Sequence, residues 1–164
     1  MSTGCLSTLK LAPSAEEAPH PLVGARLPSL GDAATLDGQR VAGGAGPVVV
    51  KFFASYCRPC MRSLPEMERL HEEHPDVLIV GIDEDDRPDV AADVVRRLGL
   101  TFPVVFDDRN ALQGRFHVEA LPTTFVSDGA GVVRWVGRGE GKAQLAPVIE
   151  AARLERAPTT GRAL

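Results

Sequence analysis

Val48-Val49-Val50-Lys51-Phe52-Phe53-Ala54-Ser55-Tyr56-Cys57-Arg58-Pro59-Cys60 carries an apolar, β-branched run into a Cys-x-x-Cys pair, and a helix-like pattern follows. The order is strand, paired thiols, helix. A buried strand reads as such a run, and it holds the first Cys in place. A helix that begins there points its unpaired N–H groups and positive dipole end at the Cys57 sulfur. Both effects favour thiolate over thiol, and the thiolate is the nucleophile in disulfide exchange. Cys60, one helical turn on, is placed to attack a mixed disulfide and release the bound thiol. The stretch therefore predicts a thiol–disulfide redox pair.

Working outward, 164 residues suit one domain, and 44% apolar residues supply one core. The net charge of -4 is interspersed, so no nucleic-acid-binding surface is expected. No apolar run approaches the roughly 20 residues that a membrane helix needs. The three cysteines are Cys5, Cys57 and Cys60, an odd count that fits one redox pair and a separate thiol rather than a disulfide scaffold.

Residues 1–25, rich in Ala, Pro, Ser and Thr, read as a flexible leader. Met1-Ser2-Thr3-Gly4-Cys5 is like the end of a bacterial lipoprotein signal, yet the apolar segment of about 7–15 residues that precedes such a site is missing. Two readings stand: a start upstream of Met1 with Cys5 lipidated, or an incidental Cys5. The domain spans 26–155, and 156–164 is a flexible tail. Asp37-Gly38 marks the turn of a small hairpin ahead of the core strand. A helix is expected over about 58–74, with Met61, Leu64, Met67 and Leu70 on one face and a kink at Pro65. Val77–Ile82 reads as a buried strand, about 89–98 as a helix ended by Gly99, and 102–106 as a loop or short extended segment. A short helix over 110–116, strands at 123–126 and 132–136, and a helix over about 142–155 complete the order. Strand–helix alternation followed by a hairpin implies a mixed α/β sheet with helices on both faces.

This order, with Cys57-Arg58-Pro59-Cys60 after the first core strand and Ala120-Leu121-Pro122-Thr123-Thr124-Phe125 before the penultimate one, resembles the thioredoxin-like fold. It resembles in particular the bacterial TlpA/ResA type of thiol–disulfide reductase, which shares the N-terminal hairpin, the helix–strand insertion and a proline five residues after the second Cys, here Pro65. The resemblance implies a cis Leu121-Pro122 bond facing the Cys pair. It also implies substrate binding by Tyr56, Leu121 and Pro122, with the Leu121 backbone pairing with an extended substrate segment. Its implied partners are a protein substrate with a disulfide or dithiol and an upstream thiol–disulfide electron donor, with the chain a monomer. It suggests an extracytoplasmic, membrane-tethered protein; the cytoplasm stays open if Met1 is the true start. Three positions depart from the pattern. Tyr56 stands where Trp is usual before the first Cys. Lys51 stands where thioredoxins bury an Asp, and Ser63 where many TlpA/ResA-type proteins carry an acid.

Cys57 is the expected nucleophile and Cys60 the resolving thiol. Arg58 places a cation beside Cys57, and Pro59 suits the first helical turn; with Lys51 they are the candidates for tuning the thiol. Lys51 either stabilises the Cys60 thiolate or moves a proton, or else it snorkels to the surface. Glu66 faces Lys51 or solvent, His117 either rims the site or is an exposed loop residue, and Trp135 packs on the late hairpin. The acidic run Asp83–Asp86 lacks calcium-loop spacing and reads as a solvated loop. Zinc needs two further ligands, and neither Cys5 nor the four histidines shows partner spacing, so no metal and no cofactor is expected. Two other functions are weighed. A peroxiredoxin-like peroxidase carries Pro in a frame that here holds Phe53. A thioredoxin-like copper metallochaperone uses Cys-x-x-x-Cys, one residue longer. A non-catalytic interaction domain fits poorly with the retained Cys pair and Leu-Pro-Thr.

Overall fold

The computed structural model of the chain describes residues 19–138 and 141–155. The leader reading for 1–18, Cys5 included, and the tail reading for 156–164 lie outside the described residues. Among the described residues, five strands form one sheet in the order β3-β2-β1-β4-β5. They are β1 (Val48–Phe53), β2 (Leu78–Asp83), β3 (Val104–Phe106), β4 (Thr123–Ser127) and β5 (Val133–Gly137). The helices are α1 (Arg58–Glu73), α2 (Pro88–Leu98), α3 (Ala111–Arg115) and α4 (Lys142–Leu154). β1–α1–β2 and β2–α2–β3 are parallel crossovers, and β4 pairs antiparallel with β1 and β5.

β1 is central, so both of its faces are covered and an unbroken apolar run suits it. Val49 and Phe53 join the core under α1, α2 and α4, where Leu64, Met67 and Ile149 meet them. Val50 and Phe52 face the opposite core, which α3 and the N-terminal segment close. There the rings of Phe52, Phe116 and Phe125 stand 5.2–5.9 Å apart at tilted or edge-on angles, the arrangement that aromatic quadrupoles favour.

The helix limits follow local chemistry. α1 continues through Pro65 and ends at Glu73, before Pro75. Pro88 occupies the first turn of α2, where its missing N–H costs nothing. Gly99, at φ 63°, ends α2 in the left-handed region, and the Leu100 N–H closes the helix end onto the Val95 carbonyl at 3.0 Å. The segment expected as a loop or short extended piece at 102–106 contains β3. The hairpin at Asp37-Gly38 is a turn closed by one bridge, Ala34 to Arg40, and Thr35 bridges onward to Val105. The domain boundary expected at residue 26 falls inside packed structure. The Gly24 N–H donates to the Val133 carbonyl, the Val133 N–H donates to the Ala25 carbonyl, both at 2.8 Å, and the His20 ring meets Phe125 edge-on. Among the described residues, no helix is long and apolar enough to cross a membrane.

Candidate active site

β1 ends at Phe53, and the chain turns through Ala54, Ser55 and Tyr56 into α1. The Cys57 N–H donates to the Ala54 carbonyl at 3.0 Å. Asp85, beyond the end of β2, grips the turn from the side: its carboxylate accepts the Ser55 N–H at 2.8 Å and the Ser55 hydroxyl at 2.7 Å. Cys57 is the N-cap of α1, and its sulfur accepts the Cys60 N–H at 3.2 Å. Cys57 and Cys60 form a disulfide, with Cα atoms 5.2 Å apart.

The two sulfurs are not equivalent. Cys57 is 8% exposed and borders a cavity of about 540 Å³, while Cys60 is 0% exposed and sits in the core. Tyr56, Arg58 and Pro59 line the same cavity, and Leu121 closes it from across the sheet end. The Leu121–Pro122 peptide is cis, and Pro122 is buried behind it. The structure thus brings Tyr56, Cys57, Arg58, Pro59 and Leu121 to one cavity. Arg58 and Pro59 are exposed at its mouth, as is Tyr56 at 72%. The Tyr56 hydroxyl is held above its ordinary range, first by partial desolvation and then by the carboxyls of Glu84, Asp85, Asp86 and Asp83.

Lys51 is fully buried, which overturns the snorkelling alternative. It lies in the middle of β1, and by strand alternation it shares the face of Val49 and Phe53, the face that α1 covers. Its Nζ donates to the Thr124 hydroxyl at 3.3 Å on the neighbouring strand. Ser63 turns its hydroxyl back onto its own helix and donates to the Pro59 carbonyl at 3.0 Å. Glu66 is not an idle surface residue: its Oε2 accepts the Lys142 N–H at 2.7 Å and so caps α4. His117 is exposed in the turn after α3 and is not among the residues that line the cavity. Trp135 is half-buried against the α1-side core.

The acidic run is the main correction. Asp83, Glu84 and Asp85 are buried, and only Asp86 is exposed. β2 runs one residue further than Ile82, and its pairing of Asp83 with Phe53 carries the acids to the end of the sheet, beside the Cys57 turn. Burial, reinforced by Asp85 and Glu84, pushes the Asp83 carboxyl up to about 8. Glu84 is pushed up to about 7, by burial and then by the carboxylate of Asp107. Glu84 also lines the Cys57 cavity, together with Gln113, Glu119 and Ala120. Its position next to a strand end was the available signal; the run of like charges pointed to solvent instead. Among the described residues, no three His, Cys, Asp or Glu side chains are grouped to hold a metal ion.

Residues 25–136 match the model of the AhpC/TSA family. The thiol-disulfide oxidoreductase ResA of Geobacillus kaustophilus (strain HTA426) is 32% identical over 97 residues, covering 56% of this chain and 54% of that protein. The sporulation thiol-disulfide oxidoreductase A of Bacillus subtilis (strain 168) is 27% identical over 90 residues, covering 52% and 54%. The chain spans about half the length of the curated relatives it matches. Among solved structures, MTB DsbF in its mixed oxidized and reduced forms superposes with a TM-score of 0.67 at 27% identity, covering 73% of this chain and 92% of that one. StoA from Bacillus subtilis superposes with a TM-score of 0.64 at 23% identity, covering 79% and 99%, a likeness of fold.

Proposed function

Since this chain belongs to the AhpC/TSA family and has a thioredoxin-like fold of the TlpA/ResA type, we propose that it is a thiol–disulfide oxidoreductase acting on protein substrates. The observation that carries this reading is the asymmetry of the pair: Cys57 borders the cavity, and Cys60 lies wholly buried behind it. The oxidoreductase names of the partial-length relatives support it.

In the reductive direction the Cys57 thiolate attacks one sulfur of a substrate disulfide. A Cys57–substrate bond forms, the substrate S–S bond breaks, and its electron pair leaves on the far sulfur, which takes up a proton. Cys60 then attacks the Cys57 sulfur, and the second substrate thiol leaves with the proton that Cys60 gives up. Two electrons have passed to the substrate, and the Cys57–Cys60 bridge awaits an upstream dithiol donor. The reverse sequence oxidises a substrate dithiol, and the reduction potential decides between them. Tyr56, Leu121 and Pro122 form the substrate side in this reading, with the Leu121 backbone pairing with an extended segment. Arg58, the helix start with Pro59, and buried Lys51 tune the thiolate. The protein acts as a monomer.

The test is the reduction potential of the Cys57–Cys60 pair in glutathione or dithiothreitol buffers, with Cys57→Ser as control. A value near the about -270 mV of thioredoxin marks a reductase, and one near about -120 mV marks a disulfide donor. A pair that forms no bridge at any potential ends the proposal.

A further inference from the structure

The cavity beside Cys57 carries an acidic feature that disulfide exchange does not require. Glu84 is 8% exposed and lines that cavity, and its Oε1 is buried with no hydrogen-bond partner among the described residues. A buried polar oxygen left without a donor is costly, and carboxylates are seldom buried without a partner. Among its acidic neighbours, Asp83 accepts the Asp85 N–H at 3.0 Å through Oδ1 and has an Oδ2 likewise buried without a hydrogen-bond partner among the described residues, but it does not line the cavity. Asp85 holds Ser55, and the two oxygens of Asp107 accept the Leu112 and Gln113 N–H groups at 2.8 Å each. Glu119 adds a second, exposed carboxylate to the cavity wall. Against these, the cavity wall has one cation, Arg58, exposed at the mouth. Gln113 adds a polar amide, and Tyr56, Pro59, Ala120 and Leu121 supply the more apolar remainder of the wall. The site therefore offers an acidic interior behind a partly apolar entrance.

We propose that this cavity receives a lysine or arginine side chain next to the reactive cysteine of an extended protein substrate, with Glu84 at its floor and Glu119 at its rim. The proposal rests on the oxidoreductase reading above and names the substrate class for that same site. A lysine or arginine suits it by shape as well as charge, because its hydrocarbon stem covers apolar walls while its head reaches a polar floor. The raised Glu84 carboxyl fits a group that ionises when a cation arrives to share its burial. Complementary charge of this kind sets specificity and encounter rate more than total affinity.

The test uses the reduced, full-length chain and synthetic peptides, each with one cysteine in a mixed disulfide with an aromatic thiol whose release is read by absorbance. Lys, Ala or Glu is placed at each of the two positions on either side of the cysteine. Rates with free dithiothreitol correct for the intrinsic reactivity of each peptide. After that correction, the single-turnover second-order rate constant of the reduced chain is expected to favour Lys over Glu by about tenfold at one position or more, and to lose this preference in high salt. Glu84→Gln and Glu119→Gln should each narrow the ratio, and the double variant should abolish it, the ratio being taken within each variant so that any change in its basal rate cancels. Glu119 is exposed, so its variant folds even if Glu84→Gln does not. Equal corrected rates for Lys and Glu peptides overturn the proposal, as does a preference that survives in the double variant or that Glu119→Gln alone leaves undiminished. If the wild type reduces none of the peptides, the oxidoreductase reading itself fails, and the proposal falls with it.

Discussion

The Cys57 sulfur accepts the Cys60 N–H at 3.2 Å, so the residue proposed to attack disulfides is also the N-cap of α1. Serine retains a capping oxygen at this position, and alanine has none. Cys57→Ala is therefore expected to be about 1 kcal/mol less stable than Cys57→Ser. Urea midpoints at unchanged m-value report the difference. Both variants should be inactive in disulfide exchange, which separates the capping role from the chemical one.

Asp128 organises the β4–β5 turn from a fully buried position. Its Oδ1 accepts the Ala130 and Val132 N–H groups at 2.9 Å, and its Oδ2 accepts Nε of Arg134 at 2.8 Å. Burial pushes its carboxyl up, but the hydrogen bonds from Val132, Arg134 and Ala130 outweigh burial and hold it below the ordinary 3.8. Asp128→Ala strands two backbone donors, while Arg134 keeps its ion pair with Glu155, and should cost about 1–3 kcal/mol. Asp128→Asn, which keeps an acceptor, should cost less. Because the folded-state value is depressed, the contribution is present above the unfolded value of 3.8 and is lost as pH falls through the folded one.

The strand, the Cys pair and the helix after it were legible because each is local: an apolar run, a fixed spacing and a periodic face. Leu121-Pro122-Thr123 was legible only through resemblance, since nothing in those residues alone says what they face. The acids at 83–85 were misread because a charge run says nothing of the sheet end that receives it; the Asp83–Phe53 register places them inside. Lys51 stood out as a charge within an apolar run, yet its burial beside Thr124 depends on β4, where Thr124 lies 73 residues further on. The capping role of Glu66 had no local signal, because its partner, Lys142, lies 76 residues away.

Asp83 has the opposite pH signature to Asp128. Its folded-state carboxyl, raised from 3.8 to about 8, holds its proton where the unfolded chain has lost it. The contribution to stability is full below about pH 4 and drains away as pH rises towards 8. Asp83→Asn removes that dependence. The variant is expected to gain on the wild type between pH 5 and pH 8, read as the change in the Tm difference. A Tm difference that does not move with pH contradicts the assignment.

Glu66 and Gly141 share one contact. The Glu66 carboxylate caps α4 through the Lys142 N–H, and a Cβ at Gly141 would collide with that carboxylate. Glu66→Ala and Gly141→Ala should each cost about 1 kcal/mol, since each removes the cap. The double variant should cost little more than either alone, the non-additivity of two residues that act through one interaction. Denaturant titration of all four proteins completes the cycle.

The central claim is that Cys57 exchanges with protein disulfides while Cys60 resolves the product, and the most direct measurement is capture of the intermediate. Cys60→Ser, in a Cys5→Ser background, is incubated in its reduced form with a disulfide-bonded protein such as insulin, quenched with acid, and resolved without reductant. The account predicts a covalent adduct that dithiothreitol releases, that peptide mass mapping places on Cys57, and that Cys57→Ser in the same background does not form. No adduct with Cys60→Ser, or an equal adduct with Cys57→Ser, would contradict it.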